Sequence, residues 1–184
     1  MNQISNISYE IFTLNNIYTN EKINEFIKYI DNQDETVKKF TDHNFKNGKI
    51  INTELSEYMF NSWKTYLPSI YTDRNGIKWE PVSAPNYVMY STIKSGEMFG
   101  LHTDTGCYYF PPSQSKFTVL TYLNDDFIGG STQFYTNSLH KTYEILPEKG
   151  KTLIWPSEWT HAHTGSVLKG GSKYIITGWL YFPV

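Results

Sequence analysis

The pattern of hydrophobic and polar positions changes character about two-fifths of the way along the chain. Before that point, apolar side chains recur at helical spacing in two stretches, residues 19–30 and 53–67. The first opens with a threonine and an asparagine that can cap a helix, and Pro68 is expected to end the second. Both stripes are typical of helix faces packed against a core: Ile23, Phe26, Ile27 and Ile30 in the first, and Leu55, Met59, Trp63 and Tyr66 in the second.

From about Trp79 onward, short β-type runs alternate with turns rich in Gly, Pro and Asn-Asp. The runs read NYVMYSTI, KFTVLTYL, STQFYT, KTLIW and KYIITGWLYF. Many short strands at close spacing predict a sandwich or barrel. We therefore expect a mainly β (α+β) protein, a double-stranded β-helix or jelly roll backed by the two N-terminal helices. One domain should span residues 1–184, with 1–80 as a helical support region and 81–184 as the jelly-roll core.

Composition narrows the class of protein without naming a function. The chain has 184 residues, 39% hydrophobic and 17% aromatic, which is enough for one compact core. Its net charge is −2 and it contains no basic tract, so nucleic acid is not an expected partner. We see no secretory signal and no membrane span, and the single cysteine, Cys107, suits a reducing compartment. These features predict a cytoplasmic protein with no membrane partner.

The stretch FGLHTDTG places His102 and Asp104 two positions apart. In an extended strand, side chains at i and i+2 project to the same side, so an imidazole nitrogen and a carboxylate oxygen can converge. A divalent metal could bind there if a third ligand arrived from elsewhere.

The third ligand is expected from WTHAHTG, which holds His161 and His163 after the run KTLIW. Either histidine would complete a set of two histidines and one carboxylate, the arrangement of non-haem Fe(II) oxygenases. Zinc is the rival metal, although zinc sites usually carry more nitrogen or sulfur ligands. The other histidines, His43 and His140, lie in polar loops and are expected to be solvated surface residues.

An ordered set of motifs from Tyr90 to the last strand resembles the prolyl 4-hydroxylase-like family of 2-oxoglutarate- and Fe(II)-dependent dioxygenases. His163 stands ten residues before Lys173 and matches the family's spacing better than His161, which stands twelve before it. The matching positions are, in chain order, Tyr90, Gly96, Phe99, His102, Asp104, Tyr122, Leu123, Asn124, Gly129, Gly130, Thr132, Phe134, His163, Lys173, Tyr174 and Trp179.

The resemblance implies that His102, Asp104 and His163 bind Fe(II) and that 2-oxoglutarate and O2 are co-substrates, with ascorbate as a possible reductant. Charge accounting supports one further residue. The charges of Fe(II), one aspartate and 2-oxoglutarate sum to −1, and a buried negative charge of that size needs a cation to offset it. Lys173 is the candidate partner of the C5 carboxylate, and Tyr122 is the second. Tyr90 and Thr132 are also expected at the co-substrate.

On the substrate side, GCYYFPPSQSK (106–116) is expected to form a flap, and residues 71–81 another rim. Tyr108, Tyr109 and Trp179 are the candidate substrate contacts. The family favours hydroxylation of a peptidyl proline, with release of succinate and CO2. A hydroxylase of a free amino acid or small metabolite is the alternative, and a catalytically silent jelly-roll binding module is a third. Related enzymes that act on nucleic acid bases typically carry arginine where this chain has Lys173.

Overall fold

A computed structural model describes residues 4–8, 10–33, 46–50, 53–70, 88–104, 115–136 and 138–181. Two helices and thirteen strands lie within these ranges. The helices are α1 (Asn20–Asp31) and α2 (Thr53–Ile70). The strands are β1 (Ile4–Ser8), β2 (Ile11–Leu14), β3 (Lys46–Ile50), β4 (Val88–Lys94), β5 (Phe99–His102), β6 (Ser115–Tyr122), β7 (Ile128–Gly129), β8 (Thr132–Tyr135), β9 (Lys141–Ile145), β10 (Thr152–Pro156), β11 (Ala162–Gly165), β12 (Leu168–Gly170) and β13 (Ser172–Tyr181).

The strands form two antiparallel layers, as the jelly-roll prediction requires. A seven-stranded sheet has the order β1-β2-β10-β6-β13-β4-β3, and a four-stranded sheet has the order β5-β11-β8-β9. A short ribbon of β12 and β7 lies beside them. Apolar residues of both sheets, such as Leu120 and Phe134, share one buried cluster, so the two layers pack face to face. The predicted fold class is confirmed.

Each face of the large sheet has its own core, because successive side chains of a strand point to opposite faces. Along β6, Val119 joins the cluster that packs against the helices, whereas Leu120 and Tyr122 join the cluster between the sheets. Strand β13 lies inside the large sheet, next to its middle strand β6, and pairs with both β4 and β6. A residue's position in this alternation therefore decides whether it can reach the space between the layers.

The helices cover the outer face of the large sheet. The side chain of Thr19 caps α1 by accepting a hydrogen bond from the Lys22 amide, as the sequence predicted. Helix α2 brings Trp63 onto β13 at Gly178, so closely that a Cβ at position 178 would stand 2.5 Å from the indole ring. Pro68 does not end α2, because a proline this close to the C-terminus removes only a hydrogen bond of the last turn.

The N-terminal region is not purely helical, in contrast to the prediction. Strand β2 pairs with β10, and β1 continues that edge of the large sheet. Strand β3 pairs with β4 at the opposite edge. Their short sequences carry little strand signal of their own, and the exposed edges of the core sheet supply the pairing partners. Neither helix in the described ranges has the length and apolar character needed to cross a membrane.

Candidate active site

Two strands of the small sheet bring the predicted metal ligands together. His102 at the end of β5 lies directly opposite His163 on β11, which places both imidazoles on one face of the sheet. Asp104 follows β5 by two residues. One ligand atom from each of the three side chains lies within 4.8 Å of the others, and this is the only such group of His, Cys, Asp or Glu found among the described residues.

The backbone orients both imidazoles in the same way. Nδ1 of His102 lies 2.7 Å from the carbonyl oxygen of Gly100, and Nδ1 of His163 lies 2.9 Å from that of His161. A carbonyl oxygen can only accept a hydrogen bond, so each Nδ1 carries the proton. In the neutral ring this arrangement leaves the lone pair on Nε2, which is the form of histidine that binds a metal.

Burial keeps His163 in the neutral form that a metal requires. Its side chain is 6% exposed, and this burial lowers the pKa of His163 to about 4, although the charge of Asp104 acts in the opposite direction. Two aromatic rings pack against the imidazole. The ring centre of Trp155 lies 5.0 Å from that of His163, and the ring centre of Phe134 lies 5.7 Å from it. These rings exclude water from that side of His163.

The carboxylate of Asp104 is buried and faces both histidines. Its Oδ1 lies 3.9 Å from Nε2 of His102, and its Oδ2 lies 3.7 Å from Nε2 of His163. The hydroxyl of Thr118 on β6 donates a hydrogen bond of 2.7 Å to Oδ2. Two imidazole nitrogens and one carboxylate therefore surround a space suited to a divalent cation.

A lysine is buried between the layers at another point of the same interior. Lys173 near the start of β13 is 3% exposed, and its Nζ donates a hydrogen bond of 2.5 Å to the carbonyl oxygen of Gly130. Nζ also lies 5.1 Å from the ring centre of Tyr122. Among the described residues no carboxylate lies within 4 Å of Nζ, and burial lowers the pKa of Lys173 to about 8. The cation lacks an anionic partner from this part of the chain.

Tyr122 and Thr132 meet next to this lysine. Their hydroxyl oxygens lie 2.5 Å apart, and both residues are buried. Burial raises the pKa of the Tyr122 phenol, so it stays protonated and can donate. If Thr132 donates to Tyr122, the phenolic proton is left for a third group. Lys173 and Tyr122 together place two hydrogen-bond donors next to each other in the interior.

Residues 86–181, just over half of the chain, match the model of the 2OG-Fe(II) oxygenase superfamily. The chain belongs to this superfamily. Accordingly it is a 2-oxoglutarate-dependent dioxygenase whose cofactors are Fe(II), 2-oxoglutarate and O2. No curated protein matches the sequence significantly.

Solved structures share the fold of this oxygenase over most of its length. The collagen prolyl hydroxylase of Paramecium bursaria Chlorella virus 1, in complex with 2-oxoglutarate, has a TM-score of 0.72 at 16% identity, over 96% of this chain and 98% of that one. A Trichoplax adhaerens prolyl hydroxylase bound to a hypoxia inducible factor peptide has a TM-score of 0.69 at 20% identity, over 94% and 83%. A Pseudomonas putida prolyl-4-hydroxylase has a TM-score of 0.67 at 12% identity, over 96% and 95%.

The structure places some predicted residues of the oxygenase away from this site. Tyr90 lies in the helix-facing core, because it alternates with Met89 and Ser91 on β4 and pairs with Ile176. Its predicted contact with the co-substrate is therefore wrong. His161 is not part of the three-residue group, and its Nδ1 lies 2.9 Å from the hydroxyl of Thr160. His140 is exposed, as expected.

Several predictions for the substrate side fall where the structure gives no description. Tyr108 and Tyr109, most of the predicted flap, the rim at 71–81 and His43 all lie outside the described residues. Trp179 is described. It is partly buried on β13, directly opposite Thr118 on β6, and its indole N–H has no hydrogen-bond partner among the described residues. Trp179 therefore occupies the strand position next to the residue that holds Asp104.

Two residues at this site were not predicted from the sequence, and a third, the matched motif position Gly130, makes a contact that was not predicted. Thr118 and Ser157 form hydrogen-bonded contacts behind Asp104, and the carbonyl of Gly130 accepts from Lys173. Gly130 has a φ of +67°, and a Cβ there would stand 2.9 Å from Leu168. The double glycine of GGSTQF was a visible signal for Gly130. No local pattern marks the two hydroxyl residues.

Proposed function

We propose that His102, Asp104 and His163 are the Fe(II) ligands of this oxygenase. The observation that carries the proposal is the convergence of two imidazole nitrogens and one carboxylate within 4.8 Å. Fe(II) held by two histidines and one carboxylate leaves coordination positions open, and it supplies the activation of dioxygen. The protein contributes the orientation of the imidazoles and a dry wall of aromatic rings beside His163.

We further propose that Lys173 and Tyr122 bind the C5 carboxylate of 2-oxoglutarate. Thr132, the partner of Tyr122, lies opposite Gly165, and Phe134 lies opposite His163. The two positions are two residues apart along β8, or about 7 Å at about 3.3 Å per residue. The carbon chain of 2-oxoglutarate spans about 5 Å, at about 1.5 Å per bond. A diacid of this length can therefore reach from the Lys173 end of the interior toward His163.

The reaction that we propose is hydroxylation of a prolyl residue in a protein or peptide, with release of succinate and CO2. Its support is the shared fold with three prolyl hydroxylases, one of them bound to a peptide. Trp179 is the proposed contact for the substrate, because it is partly buried beside Thr118 and its indole N–H has no hydrogen-bond partner among the described residues. Tyr108 and Tyr109, which follow Asp104 in the sequence, are proposed as further contacts.

The test is turnover with Fe(II), 2-oxoglutarate and air, in the presence of proline-containing peptides or of free amino acids. We expect succinate to form and a peptide to gain about 16 Da, the mass of one oxygen inserted by this class of reaction. Fragmentation of that peptide should place the oxygen on proline. A mass gain on a free amino acid, with all peptides unchanged, would instead establish the small-molecule hydroxylase.

His163→Ala and His161→Ala form a matched pair for the metal site. Both remove a buried imidazole from the same segment, but only His163 belongs to the group of three. We expect His163→Ala to abolish succinate formation and His161→Ala to retain most of it. The reverse result would show that the proposed ligand set is wrong.

A further inference from the structure

A chain of two buried hydroxyls leads away from the carboxylate of Asp104. The Thr118 hydroxyl lies 2.7 Å from Oδ2 of Asp104 and 2.9 Å from the hydroxyl of Ser157. Thr118 is 1% exposed and Ser157 is 2% exposed. Their contacts join three separate parts of the fold, because Thr118 lies on β6, Ser157 directly follows β10, and Asp104 follows β5.

The direction of these hydrogen bonds follows from the chemistry of the groups. An ionised carboxylate can only accept, so Thr118 uses its single proton for Asp104. Thr118 must then accept from Ser157, whose proton points toward Thr118. Hydrogen bonds aligned in this way polarise one another, and those that end on a charged group are the stronger ones.

Asp104 depends on this support more than the histidines do. His102 and His163 lie on paired strands, and a backbone carbonyl fixes each ring. Asp104 lies beyond the end of β5, and none of the described strands pairs with it. Thr118 is on the central strand of the large sheet, so its hydrogen bond ties the carboxylate to a strand that is paired on both sides.

We infer that Thr118 and Ser157 are positioning residues that hold the Asp104 carboxylate in the orientation needed to bind the metal. This inference rests on the proposed role of Asp104 as an iron ligand. Thr118 acts directly on the carboxylate. Ser157 acts through Thr118, by orienting its hydroxyl and strengthening the bond that it donates.

The chain offers a matched control on the opposite face of the same two strands. Thr121 on β6 and Thr152 on β10 are a directly opposed pair whose hydroxyls lie 2.8 Å apart, and neither residue has any exposed surface. Thr152→Val therefore removes a buried hydroxyl from an equivalent pair that does not touch Asp104. Any effect of losing a hydroxyl in this sheet should appear in this variant as well.

The experiment measures Mn(II) affinity by calorimetry and thermal unfolding without metal, on the full chain. We expect Thr118→Val to weaken Mn(II) binding about 10- to 100-fold, the usual range for groups that orient a metal ligand. Ser157→Ala should weaken it less. Because Ser157 acts through Thr118, the double variant should bind Mn(II) as Thr118→Val does. Thr118→Ser keeps the donor and should bind like the wild type, and Thr152→Val should do the same.

Equal Mn(II) affinity in the wild type and in Thr118→Val would overturn the inference, as would equal losses in Thr118→Val and Thr152→Val. If Thr118→Val does not fold, Ser157→Ala and Thr118→Ser decide the question: unchanged affinity in Ser157→Ala would then count against the inference. His163→Ala separates this outcome from failure of the proposed function. If His163→Ala binds Mn(II) as the wild type does, the ligand set itself is wrong.

Discussion

Replacing Lys173 by methionine should weaken 2-oxoglutarate binding without weakening the fold. Methionine has a similar length and no charge, so the substitution removes the cation and leaves most of the packing. Lys173 is almost completely buried and lacks an acidic partner among the described residues. The cation is therefore held in place at a cost in stability, which the carboxylate of a bound co-substrate would offset.

The magnitude follows from the pKa of Lys173, which burial lowers from 10.5 to about 8. This difference corresponds to about 3 kcal/mol, and pH 7 lies below both values, so the full cost is present there. The substitution also removes the hydrogen bond to Gly130, and this loss reduces the gain in stability by about 1 kcal/mol. The metal-free Lys173→Met protein should thus be about 2 kcal/mol more stable than the wild type. Its affinity for 2-oxoglutarate should fall about 100-fold, since the lost pairing is worth about 3 kcal/mol.

Two assays check this prediction on the same samples. Calorimetric titration of the Mn(II)-loaded protein with 2-oxoglutarate gives the affinity, and urea unfolding of the metal-free protein gives the stability. Lys169→Met is the control, because Lys169 is an exposed lysine on the neighbouring strand β12. Wild-type affinity in Lys173→Met would refute the assignment. A marked loss of stability together with unchanged affinity would show that the lysine serves the fold alone.

Three further predictions concern the same interior and its outer wall. The affinity for 2-oxoglutarate should be constant below about pH 8 and fall up to tenfold per pH unit above it, because Lys173 loses its proton there. Calorimetry across the same pH range should show a constant affinity for Lys173→Met. Tyr122→Phe should weaken 2-oxoglutarate binding about tenfold, the effect of one lost hydrogen bond of about 1.4 kcal/mol, and an unchanged affinity would remove Tyr122 from the site. Gly178→Ala should lower the free energy of unfolding, measured by urea titration, by about 1–3 kcal/mol, because the new methyl group meets Trp63. Gly170→Ala is the control: a Cβ there has only one contact, at 3.8 Å, so the free energy of unfolding should change by less than about 0.5 kcal/mol.

The sequence predicted those parts of the fold that periodicity alone specifies. The predicted helical stretch began at Thr19, which is the cap of α1, and the helix itself begins at the next residue, Asn20. The long strand β13 covers nearly all of its predicted run. The short strands β2 and β3 were not predicted, because they pair with β10 and β4, which are distant in the sequence, and β1, which was also missed, pairs with β2. Local patterns carry no information about such partners.

The same limit explains the outcome at the candidate site. His102 and Asp104 were recognisable together because their spacing is local. Tyr90 was placed wrongly, because a shift of one residue in a strand exchanges its two faces, and a resemblance between motifs does not fix that parity. Thr118 and Ser157 could not be found, since their contacts connect residues 14 and 39 positions apart.

The direct opposition of His102 and His163 has a mechanical consequence for the small sheet. Strand β5 is an edge strand and pairs only with β11 among the described strands. An ion bound to both imidazoles would act as a clamp across this pair and oppose fraying of the edge. Removing the ion should therefore accelerate amide hydrogen exchange in Phe99–His102 more than in the inner strand β13, so the iron would stabilise the local architecture that created its own binding site.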